Sequence, residues 1–271
     1  NSLVNNLSTD IKDTKGKGIK IAILDTGCYK HKSLNNSIIQ TYDAINDSTS
    51  FSSIKDNSLS AHGTFIAGLI AASGANSEVN GIASGAELII IKVAENDNSV
   101  FSDNVLTGLK WLANKCPVKP DLINISLDFF YGNNKPEFQT LFSNFYNNNI
   151  YCFAAAQNDD SLQNDLFYPA KEENVLAVGA LSDPGISKIN PKVSYLVPNI
   201  EYKSCNNSSI LQYKNNSGCS FATAITTATM ALTKSYQLNN NLSVGFKDFF
   251  DQQLKTFKID IFNNKLEIFK L

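Results

Sequence analysis

Histidine is scarce in this chain: among 271 residues there are two, His31 and His62. Cysteine is sparse and irregular as well. Cys28, Cys116, Cys152, Cys205 and Cys219 form an odd, scattered set without a CxxC pair. That excludes a disulfide framework and reads most of them as buried thiols, one disulfide among them being left open. No run approaches the ~20 apolar residues that a membrane span needs. No signal-peptide pattern is visible, although the sequence starts at Asn1 rather than Met and the absence therefore carries little weight. A formal net charge of -2 with 18% charged residues offers neither a basic groove for nucleic acid nor a polybasic patch for a membrane surface. There is no internal repeat and no composition shift that would cut the chain into domains. The Asn-x-Ser stretches around Asn6, Asn46 and Asn216 follow from abundant asparagine and are not read as glycosylation sites.

What is present is apolar material. Hydrophobic types make up 43% of the chain, enough for one large core. Ile19 to Leu24 is a short apolar run that stops at Asp25-Thr26-Gly27, the pattern of a buried strand ending in a turn. Further strands are predicted over 87–93, 121–127, 150–156 and 174–180. A helix is predicted over 62–72, with small Ala and Gly residues between Phe65, Ile66, Leu69 and Ile70. A second is predicted over 102–114, with Ser102 as candidate N-cap and Val105, Leu109 and Leu112 on one face. A third, over 136–147, carries a stripe of Phe138, Leu141, Phe142 and Phe145, and a fourth, over 220–236, is rich in Ala and Thr. The Asn- and Ser-rich residues 200–217 are expected to form surface loop, and Asn263-Asn264 the turn of a hairpin in the tail. Strands alternating with helices predict an α/β fold of three layers, a mostly parallel twisted sheet with helices on both faces.

Such sheets gather their chemistry at the carboxyl ends of the strands. Asp25 follows the first predicted strand and Asn158 the fourth, while His62 and Ser220 each open a helix. Singly, each signal is weak. Asp-Thr-Gly is most often an ordinary turn, and an aspartic protease would need two such carboxylates where the chain has one triplet. A helix-opening His or Ser is most often structural. Order and context change this. IAILDTG, AHGTFIAGLIAA, NISL, FAAAQN and GCSFATA resemble the subtilisin family segment by segment, as do the connecting GIASGAELIIIKV and FYPAKEENVLAVGA, from about Lys17 to Leu232. The resemblance implies one catalytic domain over 1–271, a serine endopeptidase that hydrolyses peptide bonds through an acyl-enzyme. Ser220 would be its nucleophile, His62 its general base and acid, and Asp25 the group that orients the imidazole. Asn158 and the Ser220 backbone N–H would stabilise the oxyanion.

Departures from the family pattern carry the finer expectations. Cys219 stands where the family usually has Thr and is read as a packed small residue, a redox-sensitive thiol being the alternative. Ala224 replaces a common Pro, which a first helical turn tolerates but does not require. Gly63 is expected in a tight turn beside the imidazole and Gly218 at a close approach to substrate. Ser126, Leu127 and Ala155 resemble substrate-binding stretches, but Asp128 and Gln157 replace glycines there. A narrower, polar pocket follows, selecting a basic residue before the cut through Asp128, with Asp159 or Asp160 as further contributors. The family's frequent calcium site is expected to be missing, because its carboxylate position matches Ser33 and its Asn position Ala75. No cofactor is therefore expected, calcium elsewhere being left open. Ile189 to Ile200 keeps only Ser194, Val197 and Pro198 of the family's pattern. The expected partner is a peptide or protein substrate and the expected state a monomer. The altered pocket and compact unit resemble dedicated maturation proteases such as lantibiotic leader peptidases. Family resemblance favours a secreted or cell-surface location, and the lack of a visible signal peptide leaves a cytoplasmic one open. Two further readings of the same scaffold stay open: a non-catalytic peptide-binding pseudoprotease, and a peptide ligase or macrocyclase.

Overall fold

Six short apolar runs, each ending in a polar residue or turn, build the centre of the molecule. The computed structural model describes residues 8–74, 78–97, 99–158, 165–182, 190–255 and 269–270, and for Gln157, Asn158, Leu254, Lys255 and 269–270 it describes the backbone. The runs form β1 (Lys20–Asp25), β3 (Glu87–Lys92), β4 (Leu122–Ile125), β5 (Tyr151–Asn158), β6 (Val175–Leu181) and β7 (Val193–Pro198). With β2 (Ile38–Asp43) and β10 (Phe269–Lys270) they make one sheet of order β10-β7-β6-β5-β4-β1-β3-β2. Every pairing from β2 to β7 is parallel, and β10 lies antiparallel to β7. Parallel registry such as Asp25 beside Lys92 and Leu24 beside Ile125 brings the strand ends that carry polar residues to one edge.

The two faces separate by the period of two along each strand. Ile21 and Ile23 face a core closed by α2 (His62–Ala71) and α5 (Cys219–Asn239), whereas Ala22 and Leu24 face a core closed by α3 (Ser102–Asn114) and α4 (Lys135–Asn147). The expected three-layer arrangement is thus what the chain adopts. Phe65 of α2 is fully buried and tilted against Phe221 of α5 at 4.7 Å, so it fixes the two helices to each other. A side chain of that kind contributes about 1.5–3 kcal/mol through burial. The threonines that fill the middle of α5 are buried without orphaned hydroxyls. Thr223, Thr226, Thr227 and Thr229 each donate to the carbonyl four residues back, at 2.8–3.0 Å.

Several elements differ from expectation. Residues 200–217 contain an antiparallel pair, β8 (Tyr202–Cys205) and β9 (Tyr213–Asn216), rather than loop alone. Tyr202, Ser204 and Cys205 point inward, and the Ser204 hydroxyl donates to Phe65 O at 2.7 Å. The polar composition belongs to the tip and outer face, and that hid the strands. Ser102 is the first residue of α3 and not its cap; Phe101 holds the cap position without a side-chain bond. Beyond α5, α6 (Phe246–Lys255) packs on β7 through Tyr195, whose hydroxyl donates to Asp251 at 2.8 Å. The hairpin expected at Asn263-Asn264 lies outside the described residues. None of the five cysteines is in a disulfide, and Cys28, Cys152 and Cys205 are buried. No helix among the described residues is long and apolar enough to cross a membrane.

Candidate active site

Asp25 is the last residue of β1 and is wholly buried. Its Oδ1 accepts the Thr26 N–H at 2.8 Å and lies 2.8 Å from His62 Nδ1. A carboxylate is acceptor-only, so Nδ1 carries the proton and Nε2 keeps its lone pair. Burial works against the imidazolium. The charge and hydrogen bond of Asp25, with Asp97 and Asp56 behind them, outweigh it and hold the His62 pKa above the ordinary histidine value. Asp25 Oδ2 is buried and has no hydrogen-bond partner among the described residues.

His62 opens α2, and this helix start is built by contacts far apart in sequence. Ala61, at the cap, is left-handed (φ 54, ψ 35), a conformation that costs a residue with a Cβ about 1–2 kcal/mol. The next three N–H groups, of His62, Gly63 and Thr64, go to Ser58 Oγ at 3.0 Å, Thr26 Oγ1 at 2.9 Å and Asp56 Oδ2 at 3.0 Å. Gly63 is helical rather than part of a tight turn. A Cβ there would stand 2.1 Å from Gly27 O, so glycine is needed for the helix to lie against the end of β1.

Ser220 is the second residue of α5, two beyond Gly218, whose φ of 132 suits glycine. Its hydroxyl donates to Ser126 O at 2.9 Å and so not to His62. The Ser126 hydroxyl donates in return to Ser220 O at 2.7 Å and accepts from Asn124 Nδ2 at 2.9 Å, while Thr227 Oγ1 shares its one proton between Thr223 O at 2.9 Å and Asn124 Oδ1 at 3.0 Å. These bonds fasten the first turns of α5 to the end of β4. The His62 ring lies 5.7 Å from that of Phe221, the residue after Ser220, so the two helix starts meet. Burial first, then the charge of Asp128, pushes the Cys219 thiol up to about 11.

The ladder between β4 and β5 stops at Ile125 and Ala154, whereas β5 stays paired to β6 as far as Asn158 and Ala180. Ser126 to Asp128 and Ala155 to Gln157 are therefore no longer paired with each other. Ser126 and Ala155 are buried, and Asp128 is exposed. Leu127 turns its side chain into the core under α3 and α4. Asp159 and Asp160 lie outside the described residues.

Residues 16–245 match the family described as the Subtilase family. The chain belongs to that family. It is 31% identical to the "Major intracellular serine protease" of Bacillus subtilis (strain 168), over 83% of this chain and 71% of that protein. It is 31% identical to an "Intracellular serine protease" of Paenibacillus polymyxa, over 82% of this chain and 68% of that one. It is 28% identical to "Subtilisin BL" of Lederbergia lenta, over 81% and 77% respectively. This subtilase is accordingly a subtilisin-like serine protease.

At the position expected for a missing calcium carboxylate, the Ser33 hydroxyl of the subtilase is hydrogen-bonded to Tyr213 OH at 2.9 Å. Nearby Glu78, whose N–H also donates to Tyr213 OH, pairs with Lys203 at 2.6 Å. Ala75 lies outside the described residues. Among the described residues there is no group of three or more His, Cys, Asp or Glu able to hold a metal ion. Sequence reasoning missed Thr26, Asp56, Ser58 and Thr64 around His62 and Asn124 under Ser220. Only the Asp-x-Ser spacing of Asp56 and Ser58, which closes a local turn at 3.1 Å, left a trace in the sequence. Phe130 and Phe167, an exposed edge-to-face pair 5.5 Å apart near Asp128, were also missed.

Proposed function

We propose that this subtilase is an endopeptidase in which Ser220, His62 and Asp25 act together, with Asn158 and the Ser220 N–H as oxyanion donors, and that it favours a basic residue before the cut. The observation that supports the reading most directly is the 2.8 Å contact of His62 Nδ1 with the buried Asp25 carboxylate, which leaves Nε2 as a base. Rotation about the Ser220 Cα–Cβ bond transfers its hydroxyl from Ser126 O to Nε2. As Oγ bonds to the scissile carbonyl carbon, its proton passes to Nε2 and the carbonyl π electrons move to oxygen, where the two donors meet the negative charge. Collapse expels the amine, which takes the proton from the imidazolium. Water, deprotonated by the same nitrogen, releases the acid and restores Ser220.

The basic preference rests on Asp128, an exposed carboxylate close enough to Cys219 to raise its pKa and hence near the nucleophile. A pocket of that kind suits a narrow, precursor- or leader-peptide processing role. The neighbouring Phe130–Phe167 pair favours a second reading, an apolar side chain at the same place.

A fluorophosphonate probe followed by a peptide library tests both levels. Labelling at Ser220, lost in Ser220→Ala together with about 10⁶-fold in kcat, is expected; the magnitude is that of subtilisin itself. Peptides with Arg or Lys before the cut should be cleaved faster than those with Phe or Ala, and Asp128→Asn should remove that advantage. A preference for Phe in the parent enzyme ends the basic assignment. Unchanged or cyclised peptide would point instead to the pseudoprotease or the ligase.

A further inference from the structure

Asp56 sits in the polar loop between β2 and α2 and is only 1% exposed. Its carboxylate accepts five hydrogen bonds. Thr26 Oγ1 at 3.0 Å, Ser58 N at 3.1 Å and Ser58 Oγ at 2.6 Å reach one oxygen, and Thr64 N at 3.0 Å and Thr64 Oγ1 at 2.6 Å reach the other. A hydroxyl has one proton, and a carboxylate can only accept. Ser58 and Thr64 therefore direct their protons at Asp56, and Thr26, which stands 3.0 Å from Asp56 Oδ1 and 3.3 Å from Asp25 Oδ1, has Asp56 as its nearer acceptor; each of the three turns a lone pair the other way. Those lone pairs receive backbone N–H groups: Ser58 that of His62 at 3.0 Å, Thr26 that of Gly63 at 2.9 Å, and Thr64 that of Tyr29 at 3.0 Å. One anion thus orients the polar contacts between the segment after Asp25 and the helix that begins with His62.

We propose that Asp56 is a positioning residue of the protease, setting the geometry between Asp25 and His62 by orienting the hydroxyls of Thr26, Ser58 and Thr64. The inference rests on the catalytic reading of Asp25 and His62 given above. Its physical basis is the difference between an acceptor-only group and an amide. Asparagine has nearly the same shape, but its NH2 would face donors, and at least one hydroxyl would have to reverse and abandon its N–H. The loop is also held from outside, since Asn207 Nδ2 donates to Asp56 O at 3.1 Å and Ser58 O at 2.7 Å, and Lys214 Nζ to Ser60 O at 2.9 Å. The substitution should therefore disturb the inner hydroxyls more than the course of the chain.

The test compares the parent enzyme, Asp56→Asn, Thr64→Val and Thr26→Val as full chains. Active sites are counted by fluorophosphonate titration, so that kcat refers only to folded enzyme, and each variant is melted. Asp56→Asn is expected to lose about 10²-fold in kcat, the scale of an ångström-sized misplacement, with KM held within about two-fold. Thr64→Val and Thr26→Val should lose kcat in the same sense but less. The acid limb of kcat/KM is the second readout. The charged groups that bear on His62 are Asp25 on β1, Asp56 in this loop and Asp97 after β3. Removing the Asp56 charge weakens the imidazolium, so the limb should move to lower pH. A role confined to stability would lower the melting temperature and leave both kcat per titrated site and the limb where they were; that result overturns the proposal. Should Asp56→Asn fail to fold, unchanged kcat and limb in the two valine variants overturn it equally. A parent enzyme that neither takes the probe nor cleaves peptide defeats the catalytic reading itself, a different outcome from an active parent matched by its variants.

Discussion

The first turns of α2 and α5 meet at one site, but they are finished differently. At α2 the N–H groups of His62, Gly63 and Thr64 are all taken by side chains, from Ser58, Thr26 and Asp56. At α5 the cap is Gly218, which has no side chain to offer, and no side-chain cap bond closes the turn. A helix N-terminus carries roughly half a positive charge. In α2 that charge faces a buried carboxylate of the protein; in α5 the corresponding end has no side-chain cap, and the proposed mechanism places there an anion that exists only during reaction. The helix that carries His62 is tied from several directions, which suits the proposed role of a base held in place by Asp25. α5 is fastened to the end of β4 through Ser126 and Asn124, but its terminal N–H groups have no side-chain cap, as the proposed oxyanion role requires.

The largest effect expected from this contrast lies at the open end. Asn158→Ala should reduce kcat by about 10²–10³-fold, the loss known for the corresponding donor of subtilisin, with KM changed little. Steady-state kinetics on a good peptide substrate checks this. A drop in kcat below ten-fold would mean that α5 and Asn158 do not share the anion.

A smaller effect lies at the closed end. Asp97 is partly exposed, accepts a hydrogen bond from Ser60 at 2.8 Å, and is one of the charges that raise the His62 pKa. The base works only when neutral, so kcat/KM falls as pH drops through that pKa. Asp97→Asn removes a charge that favours the imidazolium, lowers the pKa and should move the acid limb to lower pH. Added salt should move the parent enzyme's limb the same way, since a partly exposed charge is screened, and should move the limb of Asp97→Asn less. A limb that ignores both changes would show that His62 responds only to its buried neighbours.

The same contrast explains what could be read from the sequence. The cores of β1, β3, β4, β5 and β6 and the spans of α2 to α5 were legible because apolar period and small-residue packing are local signals. β2, β8 and β9 were not: β2 is an edge strand whose Ile38, Ile39 and Gln40 are only half-buried, and in the hairpin two or three inward residues anchor an otherwise polar stretch. Asp25, His62 and Ser220 were recognised as a set of segments. Asp56 was not, because its meaning comes from Thr26, 30 residues before it, and Thr64, eight after. Gly63 was assigned to a turn for a similar reason, since the carbonyl it must clear belongs to Gly27.

Cys219 gives the smallest effect and the sharpest check on the open end. A thiol at the start of a helix is ordinarily a candidate for a low pKa, because the helix end favours thiolate. Here burial comes first and the Asp128 charge second, and the thiol is pushed up to about 11. At neutral pH it is therefore almost entirely protonated and a poor nucleophile. Iodoacetamide at pH 7.5 should leave Cys219 unmodified by mass spectrometry, and Cys219→Thr, which swaps groups of similar bulk, should keep kcat/KM within about two-fold. Rapid alkylation at Cys219 would mean that the field of the helix end outweighs desolvation even here. The same field would then act on an oxyanion beside Ser220 without help from Asn158, and the loss expected for Asn158→Ala would shrink accordingly.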